Sequence, residues 1–258
     1  MKLTVLGTVS PYLAFEHNGP GFLIEDNNSK VLLDCGSGIT RHLVFPYHLE
    51  NLHIFISHFH RDHYNELYNI QYASHVFSNK GELEYPIHIH LPTVTMSRFE
   101  DVVSEEYAFA KYYRIIDEYS GVEVGDLKVS FCLTGHTTES YAFKVSNGKN
   151  TIVYTSDISY SAKDIIAKFA KDADLLICDS SLLESYSMPE INSHITAKQA
   201  GKIAKEANVK QLMLTHFWPM EFQVSYLEEA KQAFPNVVCA RESMKVLFDK
   251  DDKGMIII

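Results

Sequence analysis

The chain has 258 residues and a 46% hydrophobic share, enough to bury a substantial core in one large α/β domain or two small ones. A formal net charge of -10 argues against a surface that grips long nucleic acid over its whole extent, since such binding draws on neutralised phosphates. No apolar run approaches the ~20 residues of a membrane span, and the amino terminus reads as a first strand rather than a signal peptide, so cytoplasmic residence away from membranes is expected.

In chain order the pattern predicts strands at 2–6, 21–25, 31–34 and 53–57, with a helix from Thr40 into the neighbourhood of Pro46. A strand at 87–91 and a helix at 99–110 follow, then strands at 127–133, 141–145 and 151–155, a helix at 162–170 and a strand at 175–178. The clearest helix, 196–207, opens on a capping Thr196 and is rich in alanine. Strands at 211–215 and 237–239 flank a helix at 225–234. Turns are marked by Asn27-Asn28, Gly121, Gly125-Asp126 and the hairpin signal Asn147-Gly148. There is no Pro- or Gly-rich linker and no short internal repeat. Early hairpins followed by alternating strand and helix predict two sheets with helices outside, a layered α/β sandwich in one domain spanning 1–258. The four cysteines, Cys35, Cys132, Cys178 and Cys239, lie far apart and read as reduced, buried thiols.

The densest chemical signal is Ser57-His58-Phe59-His60-Arg61-Asp62-His63, four candidate metal ligands in six consecutive positions just past a buried strand. On an extended or turning backbone His58 and His60 project to the same side and can hold one ion; Asp62 and His63, beyond the bend, can reach a second. Imidazole with carboxylate suits zinc, manganese or iron, whereas calcium favours oxygen alone. Further candidates follow later strands: His136 in Thr134-Gly135-His136, Asp157 in Ser156-Asp157, and His216 in Thr215-His216. Each alone is an ordinary loop or cap residue. Together with the first run they supply the seven ligands that two ions with one shared ligand require.

The HxHxDH run, the later single His, the Asp and the final His, in this order, resemble the metallo-β-lactamase superfamily of hydrolases over nearly the whole chain. The resemblance implies an αββα sandwich of two mixed β-sheets with two divalent metal ions, zinc before manganese or iron, in a cleft along one edge. It implies that His58, His60 and His136 hold the first ion, that Asp62, His63 and His216 hold the second, that Asp157 bridges them, and that Asp34 orders the metal-binding loop from behind. His194, in Ser193-His194-Ile195-Thr196-Ala197, lies 22 positions before His216. This arrangement is similar to the ribonuclease Z group of phosphodiesterases, in which a histidine here helps the leaving group depart; the simpler reading is a residue at the start of a helix.

Two departures bear on the substrate. The interval from His136 to Asp157 is 21 positions, room for a hairpin but not for the transfer-RNA-gripping arm of ribonuclease Z. The usual glycine after the HxHxDH run is replaced, with Tyr64-Asn65-Glu66-Leu67 following His63, which bears on the shape of the substrate opening. The expectation is therefore a metal-dependent phosphodiesterase acting on a small phosphodiester, cyclic phosphate or nucleic-acid end, with Asp62 and His194 as catalytic residues. The alternatives are a carbon ester, thioester or lactone hydrolase, transfer-RNA 3′ processing, and a non-hydrolytic di-iron protein. RNA is admitted as a partner, membranes are not, and related enzymes are often homodimers.

Other residues carry weaker signals. His88 and His90 share one face of a strand and read as its polar face before a metal site. Asp179-Ser180-Ser181 follows a strand and could approach the cleft. Tyr107, Phe109, Tyr112 and Tyr113 could stack on a base but are equally explained by packing. Lys198, Lys202, Lys205 and Lys210 read as a solvated helix face before a basic patch. Phe217, Trp218 and Pro219 could line the pocket by position.

Overall fold

The computed structural model describes every residue except 14–16, 94–95, 116–120, 187–191, 220–222 and 249–253. The first part of the chain forms β1 (Lys2–Gly7), β2 (Gly21–Asp26), β3 (Ser29–Leu33) and β4 (His53–Phe55), then α1 (Arg61–Tyr64), α2 (Leu67–Asn79), β5 (Ile87–Pro92), α3 (Met96–Val103) and β6 (Ala110–Ile115). The second part forms β7 (Val122–Val124), β8 (Leu127–Leu133), β9 (Tyr141–Ser146), β10 (Thr151–Tyr154), α4 (Lys163–Phe169), β11 (Leu175–Asp179), α5 (Ala197–Glu206), β12 (Gln211–Thr215), α6 (Gln223–Lys231) and β13 (Val237–Cys239). Strands β14 (Lys245–Phe248) and β15 (Met255–Ile257) return to the first sheet.

Eight strands in the order β15-β14-β1-β2-β3-β4-β5-β6 make one sheet, and seven in the order β13-β12-β11-β10-β9-β8-β7 make the other. Each is mixed. In the first, the pairs up to β2–β3 are antiparallel and those from β3 to β6 parallel; in the second, β13 to β10 are parallel and β10 to β7 antiparallel.

Strand periodicity explains the layering. Leu3, Val5, Phe22, Ile24, Val31 and Leu33 point between the sheets and meet Phe143, Val145, Ile152, Leu175 and Ile177. The alternate residues Leu6, Leu23, Leu32 and Ile54 face outward onto Leu67 and Ile70 of α2. On the far side Val153, Leu176, Cys178 and Leu212 pack under Ile166 of α4, Ala200 and Ile203 of α5 and Tyr226 of α6. A strand buried on both faces feeds two cores, so the sheets stack with helices on either outer surface. This is the predicted αββα sandwich. Among the described residues no helix is long and apolar enough to cross a membrane.

Two local expectations fail. The helix expected at 99–110 ends at Val103, and Ala110–Ile115 is instead an edge strand, paired in parallel with β5 from Ile87↔Ala110 to Pro92↔Ile115. Tertiary pairing decided the state of a segment whose composition was ambiguous. The helix expected from Thr40 is a single 3-10 turn, Ile39–His42, which ends where Leu43 turns extended. Helix α2, thirteen residues long, was not expected: its polar tyrosines and asparagines mask the buried positions Leu67, Ile70, Gln71 and Ser74, which recur at helical spacing.

Candidate metal centre

The parallel halves of both sheets end at one rim, and the chain bends there at residues in the left-handed region: Asp34 (φ 58°) after β3, Ser156 (φ 52°) beyond β10 and His216 (φ 65°) after β12. Non-glycine residues in this region are uncommon and concentrate at functional sites. The loop between β4 and α1 brings His58 and His60, and α1 itself carries Asp62 and His63. His136 comes from beyond β8.

All seven expected ligands converge in two sets. In the first, His60 Nδ1 lies 3.0 Å from His58 Nε2 and 3.3 Å from His136 Nε2, while Asp157 Oδ2 lies 3.5 Å from His58 Nε2 and 3.6 Å from His136 Nε2. In the second, His63 Nε2 is 3.2 Å from His216 Nε2 and 3.6 Å from Asp62 Oδ2, and His216 Nε2 is 3.9 Å from Asp62 Oδ2. Asp157 Oδ1 faces this second set at 3.2 Å from His63 and 2.9 Å from His216. Tetrahedral coordination with bonds of about 2.0–2.1 Å places ligand atoms about 3.3 Å apart. The spacing of the donor sets therefore fits divalent metal ions, and Asp157 faces both sets, one through each carboxylate oxygen.

The protonation pattern supports the same conclusion. The Nδ1–H of His63 donates to Asp34 Oδ2 at 2.7 Å, and that of His136 to the Ser193 carbonyl at 2.8 Å. The Ser181 hydroxyl donates to Asp179 Oδ1 and accepts from His216 Nδ1 at 2.7 Å; the Ser57 hydroxyl donates to Asp34 and accepts from His58 Nδ1 at 2.9 Å. With Nδ1 protonated, these four rings aim Nε2 lone pairs at one another and at carboxylates, an arrangement that a cation between them relieves. Buried Asp157 Oδ1 receives no hydrogen bond.

Electrostatics agree. Burial, reinforced by the neighbouring His63, holds the His58 pKa well below the ordinary value and keeps it a neutral ligand. Burial also lowers His60 and His136, though Asp157 opposes it. Burial of Asp157 favours its neutral form, but His216, His63 and His58 overcome this and hold its pKa well below the carboxylate range. His63 is buried too, yet Asp157, Asp34 and Asp62 raise its pKa strongly; the field that would hold a proton there also attracts a dication.

Asp34 is fully buried and accepts four hydrogen bonds: from the Ser57 amide (2.8 Å) and hydroxyl (2.9 Å), from His63 Nδ1 (2.7 Å) and from the Tyr154 hydroxyl (2.8 Å). These bonds tie the Ser57–His63 segment to the ends of β3 and β10. His194 Nδ1 lies 3.0 Å from Asp179 Oδ2, and its ring stacks 5.2 Å from that of His216. Sequence reasoning underweighted Asp179, although its position at the end of β11 follows the same strand-end rule as the ligands. It missed Ser10, whose hydroxyl bonds Asp62 Oδ2 and which no motif marks.

Glu66 stands at the head of α2. Its φ of -81° needs no glycine, and its carboxylate accepts from the Gly38 amide at 2.9 Å and from the Thr40 hydroxyl, tying α2 to the loop after β3. His88 and His90 belong to a ring column: His53 stacks on His88 (4.2 Å, 4°) and Phe55 on His90 (4.1 Å, 5°), with Tyr113 beside His90 at 4.8 Å. His90 is 3% exposed, so this face is a buried ring column rather than the polar strand face expected. Tyr112 and Tyr113 lie on the edge strand β6, two strands from β4. Lys198 pairs with Glu184 at 2.9 Å and Lys210 with Asp174 at 2.7 Å, as on a solvated face.

A family model described as Beta-lactamase superfamily domain matches residues 29–217. The chain belongs to this superfamily and is a metallo-β-lactamase-fold hydrolase close to the ribonuclease Z-like members. The probable metallo-hydrolase YhfI of Bacillus subtilis is 30% identical over 237 residues, 91% of this chain and 94% of that protein. The YhfI crystal structure superposes with a TM-score of 0.86, covering 94% of this chain and 96% of that one at 28% identity. Ribonuclease Z of Chlamydia trachomatis is 25% identical over 96% of this chain and 98% of its own; that alignment runs over 302 residues, more than the 258 here, so the enzyme carries segments without a counterpart. A diphosphatase of the PhnP family shares the fold, with a TM-score of 0.71 at 17% identity and coverage of 96% and 98%.

Proposed function

We propose that the protein is a binuclear metal-dependent phosphodiesterase, with zinc as the preferred ion, acting on a small phosphodiester, cyclic phosphate or nucleic-acid end. The observation that carries this reading is the junction at Asp157 of two donor sets, with the Asp179–His194 pair standing beside them. His58, His60 and His136 would hold one ion, Asp62, His63 and His216 the other, and Asp157 both. Ions so placed lower the pKa of a bound water and neutralise charge on phosphoryl oxygens.

The chain's own groups do the rest. Asp62 is held ionised by His63, His216 and the Ser10 hydroxyl against the opposing effect of burial, so it can orient the attacking water. Burial lowers the His194 pKa, but the Asp179 carboxylate outweighs it and raises it to about 9. A protonated His194, turned by Asp179 so that its second nitrogen is free of that carboxylate, can give a proton to the departing oxygen. The β9–β10 hairpin fills the interval between His136 and Asp157, where ribonuclease Z carries its arm by the resemblance above; this supports small substrates over transfer RNA.

Assay of bis-(p-nitrophenyl) phosphate against a thioester and a lactone, with added zinc or manganese, tests the reading. Diester cleavage that exceeds the other two is expected. Thioester or lactone cleavage alone would overturn it in favour of carbonyl chemistry.

A further inference from the structure

The rim of the seven-stranded sheet carries one more charged side chain in line with the metal centre. Asp157 lies beyond β10, Asp179 ends β11, His216 follows β12, and Arg241 lies two residues past β13, the next strand outward. Adjacent strands are about 4.8 Å apart, so Arg241 stands roughly one strand spacing from the His216 position.

Beside Arg241 opens a cavity of about 370 Å³ lined by Val9, His17, Phe217, Trp218, Arg241 and Glu242, among others. Its size falls within the ~300–1,000 Å³ typical of small-molecule sites. Two of its lining residues adjoin the centre in the chain, Val9 next to Ser10 and Phe217 next to His216. The Ser10 amide donates to the Phe217 carbonyl at 3.0 Å, the Phe217 amide donates to the Thr8 carbonyl at 2.9 Å, and the Ser10 hydroxyl holds Asp62.

Two groups in this cavity are exposed. Trp218 exposes 39% of its surface two residues past His216. Arg241 is exposed, and among the described residues its guanidinium has no carboxylate partner within an ion-pair distance. The adjacent Glu242 does not neutralise it: that carboxylate accepts from the Asn18 amide at 3.1 Å and the Thr8 hydroxyl at 3.4 Å, with His17 Nδ1 at 3.3 Å. A half-exposed indole and an exposed planar guanidinium lining one cavity offer a stacking face and a fork of donors, the pairing that recognises an aromatic base rich in acceptors.

We propose that this cavity is a nucleobase subsite, so that the substrate is a nucleoside phosphodiester whose base stacks on Trp218 and accepts hydrogen bonds from Arg241. This rests on the phosphodiesterase reading for its chemistry but not for its binding. Trp218 is the chain's single tryptophan, which makes its fluorescence a direct reporter.

Adenosine 5′-monophosphate is expected to quench that fluorescence saturably, ribose 5-phosphate is not, and Arg241→Gln should weaken the nucleotide about tenfold. By calorimetry Trp218→Leu should weaken it similarly. Absence of saturable quenching, or nucleotide and ribose phosphate binding equally by calorimetry, would overturn the subsite whatever the enzyme hydrolyses. If the nucleotide binds as expected while neither adenosine 2′,3′-cyclic phosphate nor bis-(p-nitrophenyl) phosphate is cleaved, the subsite stands and the phosphodiesterase reading falls.

Discussion

His194 Nδ1 and Asp179 Oδ2 are 3.0 Å apart, with the carboxylate fully buried and its other oxygen engaged by the Ser181 amide and hydroxyl. The pair couples a candidate proton donor to the shell that orients His216. Removing His194 as His194→Ala should lower turnover roughly 100- to 10,000-fold, the range of general-acid contributions, with metal content near normal. Full turnover in that variant would remove His194 from the chemistry.

The same pair predicts a pH dependence. A histidine raised from 6.5 to about 9 stays protonated through neutrality and loses its proton as pH rises toward 9, so activity that needs the acid declines on the alkaline side. Asp179→Asn removes the dominant opposing charge and leaves burial to lower the pKa. The alkaline limb of the rate profile should move to lower pH than in the wild-type protein with the same metal. An unmoved limb would mean that another group sets it.

Asp34→Asn should leave the fold in place, because asparagine tolerates the left-handed backbone and retains an acceptor oxygen for Ser57. What it loses is the charged Oδ2 acceptor of His63 Nδ1–H, which the rotatable Ser57 and Tyr154 hydroxyls share. Loss of such a partner costs about 10- to 100-fold in metal affinity, and isothermal titration should place that loss at one of the two sites. Asp34→Ala, by contrast, strands four buried donors and should cost about 3–5 kcal/mol in chemical denaturation.

Gly36→Ala tests the backbone under the metal-binding loop. A Cβ there would press on the Asp62 carbonyl and lie 2.6 Å from the Gly19 carbonyl carbon and the Pro20 nitrogen, all main chain that cannot rotate away. We expect destabilisation of about 1–3 kcal/mol with weakened binding at the Asp62–His63 site. Normal stability with normal metal content would show that the loop is softer than its contacts imply.

The ring column gives a second pH effect, on stability. Burial lowers His90 to about 3 and His53 to about 4, with neighbouring histidine charge adding to it. Above 6.5 both folded and unfolded forms are neutral. As pH falls below 6.5 the unfolded chain takes up protons that folded His90 refuses, so stability drops by about 1.4 kcal/mol per pH unit for that group until its folded pKa is reached. Urea midpoints at pH 7 and 4.5 should differ less for His90→Phe than for the wild-type protein; an identical difference would discount the column.

Much of the centre was legible because its chemistry is local in sequence. The six positions from His58 to His63 supply four candidate ligands, and each later candidate follows a strand whose apolar run was plain. The eleven strands expected are all present, with ends shifted by at most two residues. What sequence did not reveal depends on contacts between distant segments. Ser10 reaches Asp62 across 52 positions, and Tyr154 reaches Asp34 across 120. β6 exists through its pairing with β5, and Glu66 acquires its meaning from Gly38 and Thr40.

Neither sheet alone owns a complete donor set. His58 and His60 arrive from the eight-stranded sheet, whereas His136 and Asp157 arrive from the seven-stranded one, and His63 meets His216 across the same seam. An ion at either position is therefore a crosslink between the two halves of the sandwich. At 100 times its dissociation constant a single bound ion adds about 2.7 kcal/mol to the folded state. Substitutions that loosen the packing of the two halves, however remote from the rim, would then weaken ion binding by unclasping the jaws.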